Sequence, residues 1–296
     1  MIATIGTFDG IHLGHQYLLT KIAEMAQARG TQSLAVTFHP HPLEIIRPGR
    51  APKMLSTVER RVTLIRSLGI DIVHIINFSE SIRELSALEF VTRLKASYPG
   101  LTTLVIGYNN HVGTDRFTTD GHVADTATAL GVDIVHIGKA PTEASSSAIR
   151  KCLSECNITA ANAMLGREYS LPGTVVKGRG IGHTLGFPTA NIKPADERLL
   201  VPGNGVYAAT VEIDGERHHA MVNIGSRPTL DNSDEITIEA HLLDFSDDIY
   251  CRDVELSFSA FIRHERRFDS LETLRAQLSN DKHSVLRHFN SINTKQ

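Results

Sequence analysis

Glycines and histidines near the amino terminus have the types and the spacing needed to bind phosphate. Gly6, Gly10 and Gly14 are interspersed with His12 and His15, and the two histidines lie three residues apart. Glycines let a backbone turn sharply and approach a ligand, and residues three apart share one face of a helix. Both imidazoles could therefore reach the same phosphate chain. The plainer alternative is a tight turn with two solvent-exposed histidines.

The segments on either side indicate how this turn is held. Residues 1–5 form an apolar run typical of a buried strand, and residues 16–29 carry apolar side chains at helical spacing. The free N–H groups and the positive end of the dipole at the start of this helix would face an anion. The order of strand, glycine-rich turn and helix therefore predicts a phosphate site.

Further strands and helices alternate up to about residue 150. Apolar runs predict strands at 33–38, 71–77, 101–107 and 132–137, and helices are predicted at 56–68, 86–98 and 119–130. This alternation indicates a parallel sheet with helices on both faces. A serine run follows at 145–147, where the Ser146 hydroxyl could bind phosphate and Arg150 could neutralise its charge. A simple helix cap is the alternative for these serines.

From about residue 169 onward, β-forming runs are separated by turns instead of helices. They span 173–177, 205–213, 217–224, 235–244 and 254–262, with a hairpin signal at Asp214-Gly215. The pattern indicates an antiparallel barrel or sandwich, followed by a helix at 271–281 that could extend to 289. We place the domain boundary after a short helix at 158–165, which gives domains 1–165 and 166–296. The second domain is expected to fold alone.

Two features of this second half could take part in chemistry. Lys177, Gly178, Gly180 and Gly182 begin a loop whose N–H groups could wrap phosphates, although it lacks the GK[ST] of a Walker A loop. A loop without a ligand is an equal alternative. Glu239 lies in a predicted strand, where its carboxylate could accept a proton. The alternative for Glu239 is an exposed strand glutamate.

Composition limits the class of protein. The chain has 296 residues, a net charge of −3 and three cysteines without a CxxC pair. The charge gives no reason to expect nucleic acid or membrane partners, and the odd number of cysteines argues against a disulfide framework. Met1 leads directly into a strand, and the apolar runs are too short to span a bilayer. We expect a soluble cytoplasmic protein that is a monomer or a weak homo-oligomer.

Several motifs together resemble one enzyme family. Residues 6–15 resemble the GxFDGxHxGH motif of prokaryotic bifunctional riboflavin kinase/FAD synthetases, which belong to the HxGH nucleotidylyltransferases. Residues 185–191 resemble the LGFPTAN motif of riboflavin kinases. Shorter matches occur in the family's order at 37–42 (TFxPHP), 145–150 (SSTxxR), 223–229 (NIGxRPT), 238–245 (IExHxLDF) and 263–268 (RxExxF). The resemblance covers nearly the whole chain.

This resemblance implies a fold and two reactions. The fold is a Rossmann-like α/β nucleotidylyltransferase domain followed by an antiparallel β-barrel riboflavin kinase domain with a terminal helix. The barrel domain would phosphorylate riboflavin to FMN with ATP, and the first domain would adenylylate FMN to FAD with release of pyrophosphate. Thr189 and Asn191 would hold the cofactor Mg²⁺ beside the ATP phosphates. Riboflavin, FMN and ATP would be the small-molecule partners.

The resemblance also assigns catalytic and binding roles. Adenylyl transfer would depend on His12, His15 and Arg150, and Glu239 would be the general base of the kinase reaction. The other expected ligand contacts are Gly6, Phe8, Asp9, Gly10, Asn109, Ser146, Lys177, Gly178, Gly180, Gly182, Asn223, Arg263 and Glu265.

One loop departs from the family pattern. Asn110 and Val112 stand where the family's G-x-[DN]-F-x-F-G loop has two aromatic residues. One alternative is therefore a riboflavin kinase with a weakened adenylyltransferase half. Another is a flavin-binding regulator without turnover, against which the full set of phosphate-binding residues argues.

Overall fold

A computed structural model of the chain describes residues 1–107, 113, 129–178, 186–228 and 234–294. The chain divides into two compact units, residues 1–146 and 147–296. Each unit has its own secondary structure and core, and the two are described separately. Within the described ranges, no helix is both long and apolar enough to cross a membrane.

The first unit is built on a five-stranded parallel sheet with the order β3-β2-β1-β4-β5. Its strands are β1 (Ile2–Ile5), β2 (Ser33–His39), β3 (Ile72–Asn77), β4 (Thr103–Gly107) and β5 (Asp133–Ile137). Its helices are α1 (Leu13–Ala28), α2 (Pro42–Ile46), α3 (Val58–Ser67), α4 (Glu80–Arg83) and α5 (Ala87–Ser97). β1 is the central strand, so the turn that follows it leaves from the middle of the sheet.

Side chains of the sheet alternate between two apolar cores. Ala3 and Leu104 pack in one core with residues of α5 such as Phe90. Ile2 and Val105 pack in the other core with residues of α1 and α3. Because successive strand residues point to opposite faces, each face needs its own helical cover. The predicted parallel sheet with helices on both faces is confirmed.

Local sequence explains where most helices begin. Ser86 and Glu89 form a capping box at the start of α5, as predicted. α1 begins at residue 13 instead of the predicted 16, because the His12 side chain caps it by accepting a hydrogen bond from the Gly14 N–H. α2 and α4 were not predicted, since helices of five and four residues are too short to show helical periodicity.

The second unit is a closed antiparallel barrel with the strand order β10-β7-β6-β11-β8-β9. Its strands are β6 (Tyr169–Val176), β7 (Ala190–Pro194), β8 (Gly205–Ile213), β9 (Glu216–Pro228), β10 (Asp234–Leu242) and β11 (Asp253–Arg263). Its helices are α6 (Ser146–Ser154), whose first residue belongs to the first unit, α7 (Ile158–Leu165) and α8 (Leu271–Asn293). Of the two predicted forms, the barrel is therefore the one that occurs.

Helix α7 is part of the barrel core. Its Asn162 side chain donates to the Phe258 carbonyl and accepts from the Tyr169 N–H, both at 2.8 Å. Ala161 and Leu165 are buried. The compact units divide at 146/147, whereas the sequence analysis placed the domain boundary after residue 165.

Helix α8 covers part of the outer surface of the barrel. Its Val285 and Phe289 share an apolar cluster with Val206 of β8 and Met221 of β9. An ion pair between Arg263, at the end of β11, and the buried Asp281 of α8 reinforces this packing, with a shortest distance of 2.7 Å.

Candidate active sites

The phosphate turn (residues 6–12) follows β1 in a conformation that few side chains favour. Phe8, Gly10 and Ile11 have φ angles of 48°, 78° and 39°, all in the left-handed region. Aromatic and β-branched residues are uncommon there, so contacts elsewhere must hold the turn. The Phe8 ring packs so closely on Gly6 that a Cβ at Gly6 would lie 2.8 Å from it. The turn is therefore a rigid, closely packed structure.

Asp9 anchors the phosphate turn from the inside. Its buried carboxylate accepts hydrogen bonds from the Leu55 N–H, at 3.0 Å, and from the Ser56 hydroxyl, at 3.3 Å. The same hydroxyl accepts from the Gly10 N–H at 3.2 Å. Ser146, at the start of α6, donates to the Asp9 carbonyl at 2.9 Å. The structure thus brings together three of the residues that the sequence singled out, and the Asp9 carboxylate faces protein donors.

The two histidines of the turn stack on each other. The ring centroids of His12 and His15 lie 3.7 Å apart with an interplanar angle of 23°. His12 Nδ1 accepts the Gly14 N–H at 3.1 Å, so the neutral ring carries its proton on Nε2. Burial, and then the charges of His12 and Arg61, hold the pKa of His15 well below its usual value. The pair can therefore offer neutral N–H donors without bringing two like charges into contact.

Arg61 is a buried charge that the sequence analysis missed. Only 2% of it is exposed, and it is the largest fully buried side chain of the described residues. Its Nη1 donates to the Thr37 hydroxyl at 3.1 Å and to the Phe38 carbonyl at 2.9 Å. The sequence pattern could have predicted this burial, because helical spacing places Arg61 on the same face of α3 as the buried Ile65, four residues later.

Three polar side chains form a row across neighbouring strands of the barrel. Glu239 of β10 lies opposite Asn191 of β7 on one side and opposite Asn223 of β9 on the other. Residues that face each other in an antiparallel pair point to the same side of the sheet. This polar row (Asn191, Glu239 and Asn223) shares its side with Met221, which belongs to the cluster packed under α8. It therefore lies on the outer surface of the barrel.

The backbone before β7 is held by the strand that carries Glu239. His241, two residues later on the same face, donates from Nδ1 to the Pro188 carbonyl at 2.8 Å. Burial lowers the pKa of His241, although the bond to Pro188 acts in the opposite direction. This bond holds the backbone at Pro188, the residue before Thr189.

The oxygens of Thr189 and Asn191 fit a magnesium ion that is also held by substrate. A hydroxyl and an amide carbonyl are hard, neutral ligands, and Mg²⁺ commonly takes few protein ligands and keeps phosphate and water oxygens. Throughout the described part of the chain, no group of three or more His, Cys, Asp and Glu residues could hold a metal ion. The Thr189 hydroxyl and the Asn191 amide oxygen would suit an ion that takes its other oxygens from phosphate and water.

Gly178, just after β6, packs directly on one of these candidate ligands. A Cβ at Gly178 would lie 1.9 Å from Nδ2 of Asn191. The Asn191 amide thus occupies the space that any side chain at position 178 would need. A side chain at position 178 would therefore require Asn191 to leave its place in the polar row.

If the barrel is the riboflavin kinase that its motifs resemble, Gly178→Ala should lower FMN formation from riboflavin by about 10²-fold, because it displaces Asn191 from its position. FAD formation from FMN should be unchanged on the same preparation, and both reactions are followed by chromatography of the flavins. Gly100→Ala is the matched control, since its new methyl group meets no atom within 4 Å. Normal kinase turnover by Gly178→Ala would show that the position of Asn191 is not needed.

Arg263 is the last residue of β11 and Glu265 lies two residues beyond it, and the two have different surroundings. The guanidinium of Arg263 is bonded to Asp281 by Nε at 2.9 Å and by Nη2 at 2.7 Å, which gives it a structural partner. Glu265 is exposed, and a Cβ at Gly225 would lie 2.4 Å from its Oε1. Since Gly225 is two residues from Asn223 on β9, Glu265 lies near one end of the polar row.

Each unit has an open cavity beside its candidate phosphate-binding residues. A cavity of about 290 Å³ opens at the carboxyl ends of β1 and β2 in the first unit, bordered by Gly6, Thr7, Phe38, Phe78 and Phe90. This is the edge of a parallel sheet where ligands bind. A second cavity, of about 260 Å³, is bordered in the barrel by Val175, Thr189, Ala240, Phe245 and Tyr250.

Several predicted contacts lie outside the described residues. These are Asn109, Gly180 and Gly182, together with most of the helix predicted at 119–130. Lys177 is described and is exposed directly after β6, and Arg150 lies on α6 four residues after Ser146. For all of these residues, contact with a ligand stays a prediction.

Comparisons with known proteins match both halves of the chain. A family model described as FAD synthetase matches residues 1–149, and one described as riboflavin kinase matches residues 165–289. A bifunctional riboflavin kinase/FMN adenylyltransferase from Pseudomonas fluorescens is 34% identical over 290 residues, covering 95% of this chain and 90% of that protein. This chain belongs to the bifunctional riboflavin kinase/FMN adenylyltransferase family.

Other relatives with the same description agree with this family. The protein from Bacillus subtilis strain 168 is 30% identical and covers 98% of this chain and 93% of its own length. The Escherichia coli K12 protein is 32% identical, with coverage of 97% and 92%. A crystal structure described as a macrolide-efflux protein from Streptococcus pneumoniae has a TM-score of 0.87 at 28% identity, covering 96% of this chain and 93% of that one. That likeness supports the fold.

Proposed function

We propose that this chain makes FAD from riboflavin in two ATP-dependent reactions at separate sites. The kinase reaction belongs to the barrel and the adenylyl transfer to the first unit. The observation that carries the proposal is that each unit has its own group of phosphate-directed residues. The first unit has the stacked His12 and His15 at the start of α1, and the barrel has Thr189 beside the polar row.

In adenylyl transfer, a phosphate oxygen of FMN attacks the α-phosphorus of ATP and pyrophosphate leaves. The attacking oxygen is already anionic, so the protein needs to align the reactants and stabilise developing charge. The Nε2–H of His12 and the free N–H groups at the start of α1 supply donors, with His15 stacked beside them. Ser146 and Arg150 on α6 are assigned to the same phosphates. Asp9 holds the turn in place through its hydrogen bonds with Leu55 and Ser56.

In the kinase reaction, the terminal ribityl hydroxyl of riboflavin attacks the γ-phosphorus of ATP and ADP leaves. Glu239 accepts the hydroxyl proton as the new O–P bond forms. Asn191 and Asn223 flank Glu239 on the neighbouring strands and orient the groups around its carboxylate. Thr189 and Asn191 would hold Mg²⁺, which when bound neutralises charge on the ATP phosphates. The phosphates would also meet the loop that begins at Lys177 and Gly178, and the flavin would meet Glu265 near the polar row.

The two cavities suit the ring systems of the substrates. Three phenylalanines border the cavity of the first unit and offer faces on which the flavin ring of FMN can pack. The barrel cavity has apolar and aromatic walls and opens beside Thr189. The base of ATP would occupy it while the phosphates reach Thr189 and Asn191.

One incubation tests the proposed function against its alternatives. Riboflavin, ATP and Mg²⁺ are added to the full chain, and the flavins are separated by chromatography. FMN and FAD together are expected. FMN without FAD would indicate a riboflavin kinase with an impaired adenylyltransferase half, and absence of both products would indicate a flavin-binding regulator. Omitting Mg²⁺ should abolish FMN formation if the ion accompanies ATP.

A second prediction concerns where the kinase domain begins. A fragment 147–296, which is the second compact unit and keeps α7 with its cap Asn157, should fold and phosphorylate riboflavin. A fragment 166–296 loses the buried Ile158, Ala161 and Leu165 and the two hydrogen bonds of Asn162, so its melting temperature should be clearly lower. Thermal denaturation and FMN formation are measured on both fragments. Equal stability of the two would place the domain boundary at 165/166.

We further propose that the protein acts in the cytoplasm, as a monomer or a weak homo-oligomer. The thiols of Cys152, Cys156 and Cys251 are all free, which suits a reducing compartment that supplies ATP. Gel filtration at several concentrations tests the oligomeric state.

A further inference from the structure

Arg61 is buried beside the phosphate turn and makes no direct ion pair in the described part of the chain. It is 2% exposed and forms no ion pair there, and its Nε has no hydrogen-bond partner. A guanidinium stays charged in proteins, and taking an unpaired charge out of water is strongly unfavourable. A charge kept in such a place needs a compensating interaction. The substrate of the neighbouring site, ATP, is a polyanion that could provide it.

Hydrogen bonds connect Arg61 to the backbone of the phosphate turn. Arg61 Nη1 donates to the Thr37 hydroxyl at 3.1 Å, and that hydroxyl donates to the Thr7 carbonyl at 3.0 Å. Arg61 Nη1 also donates to the Phe38 carbonyl at 2.9 Å. Thr37 is itself fully buried. The guanidinium therefore ties the end of β2 to Thr7, the residue between Gly6 and Phe8 where the turn begins.

Two carboxylates lie within electrostatic range of Arg61, but neither is bonded to it directly. Burial lowers the pKa of Arg61, while the carboxylates of Asp9 and Glu59 raise it. The Asp9 carboxylate already accepts hydrogen bonds from Leu55 and Ser56 and has no direct bond to Arg61. The positive charge of Arg61 acts electrostatically on His15 and contributes to the lowered pKa of that imidazole. Its field therefore extends to the residues that face the phosphates.

We propose that Arg61 is a positioning residue for adenylyl transfer, which fixes the phosphate turn through Thr37 and places a permanent positive charge behind His12 and His15 to favour the bound ATP. This inference rests on the proposed function. Arg61 would thus make two contributions, a hydrogen-bonded link and a charge, and each can be tested independently. The hydrogen-bonded link should govern the geometry of the turn, and the charge should govern the affinity for ATP.

The test compares variants of the full chain in both half-reactions. Arg61→Met removes the charge and the link and should lower kcat/KM for ATP in FAD formation on the order of 10²-fold. Arg61→Lys keeps the charge and should retain the KM for ATP. Thr37→Val keeps the charge but breaks the link, so it should lower kcat about tenfold with little change in KM. Thermal denaturation followed by circular dichroism on each preparation shows whether the first unit is folded, and riboflavin kinase turnover serves as the internal control for the barrel.

The matched control is Arg66→Met, which removes an exposed arginine from the same helix and should leave both reactions unchanged. Arg61→Met with normal FAD formation would overturn the inference, as would Arg61→Lys raising the KM for ATP as much as Arg61→Met does. If Arg61→Met fails to fold, Thr37→Val and Arg61→Lys decide by the same criteria. FAD formation by the parent chain is measured first. Its absence would overturn the proposed function and this inference together, whereas parent activity isolates the role of Arg61.

Discussion

Glu239→Gln should lower FMN formation from riboflavin by about 10²- to 10⁴-fold, the usual contribution of a general base. The substitution keeps the shape of the side chain and its place between Asn191 and Asn223, but removes the group that accepts the proton. Conversion of added FMN to FAD should continue at the parent rate, because that reaction takes place in the other unit. Both half-reactions are measured on one preparation by chromatography of the flavins.

The control for this variant is Glu212→Gln, an exposed strand glutamate of β8 in the same barrel. It should leave both reactions unchanged. Near-normal FMN formation by Glu239→Gln would remove Glu239 from the role of base. Loss of both reactions would indicate misfolding, and riboflavin binding measured by fluorescence would then show whether the barrel is intact.

His15→Ala should reduce FAD formation from FMN by on the order of 10²-fold or more, comparable to the removal of one transition-state donor. The effect is expected because His15 stacks on His12, so its loss removes one imidazole and the support of the other. FMN formation from riboflavin should be unaffected. Initial rates with FMN and ATP, and separately with riboflavin and ATP, provide the measurement.

His136→Ala is the matched control, since His136 is an exposed histidine on the edge strand β5 of the same sheet. Its rates should equal those of the parent in both reactions. Unchanged FAD synthesis by a folded His15→Ala would exclude His15 from the mechanism. A parallel fall in FMN formation would instead point to a general loss of folded protein.

Elements with strong local signals could be predicted to within a few residues. β8 was predicted at 205–213, and the structure gives the same bounds, because an apolar run lies there between a glycine and the Asp214-Gly215 turn. α7 was likewise predicted at its observed 158–165. β7 was missed, since its five residues alternate weakly and end in a proline. α8 runs on to residue 293, beyond the predicted 281 or 289, and its packing against the barrel reaches Phe289, which explains the extension past 281.

The residue types of the sites were visible in the sequence, whereas their contacts were not. Asp9 was expected to meet a ligand, yet its carboxylate is bonded to residues 55 and 56, more than forty positions away. The polar row joins Asn191, Glu239 and Asn223 from three strands, and the pairing of β7 with β10 spans a long stretch of chain. Such pairing depends on how the whole barrel closes, which local spacing does not determine.

The strict alternation along β10 means that burial of its apolar residues fixes the outward position of Glu239, the proposed general base. Ile238 and Ala240 fill the barrel interior on either side of Glu239. A shift of β10 by one residue would turn Glu239 inward and expose both apolar neighbours. The same burial free energy that closes the barrel therefore rejects the mispaired, inactive form. Kinase turnover can accordingly serve as a sensitive assay of correct strand pairing during refolding, one that can detect errors which secondary-structure content alone would miss.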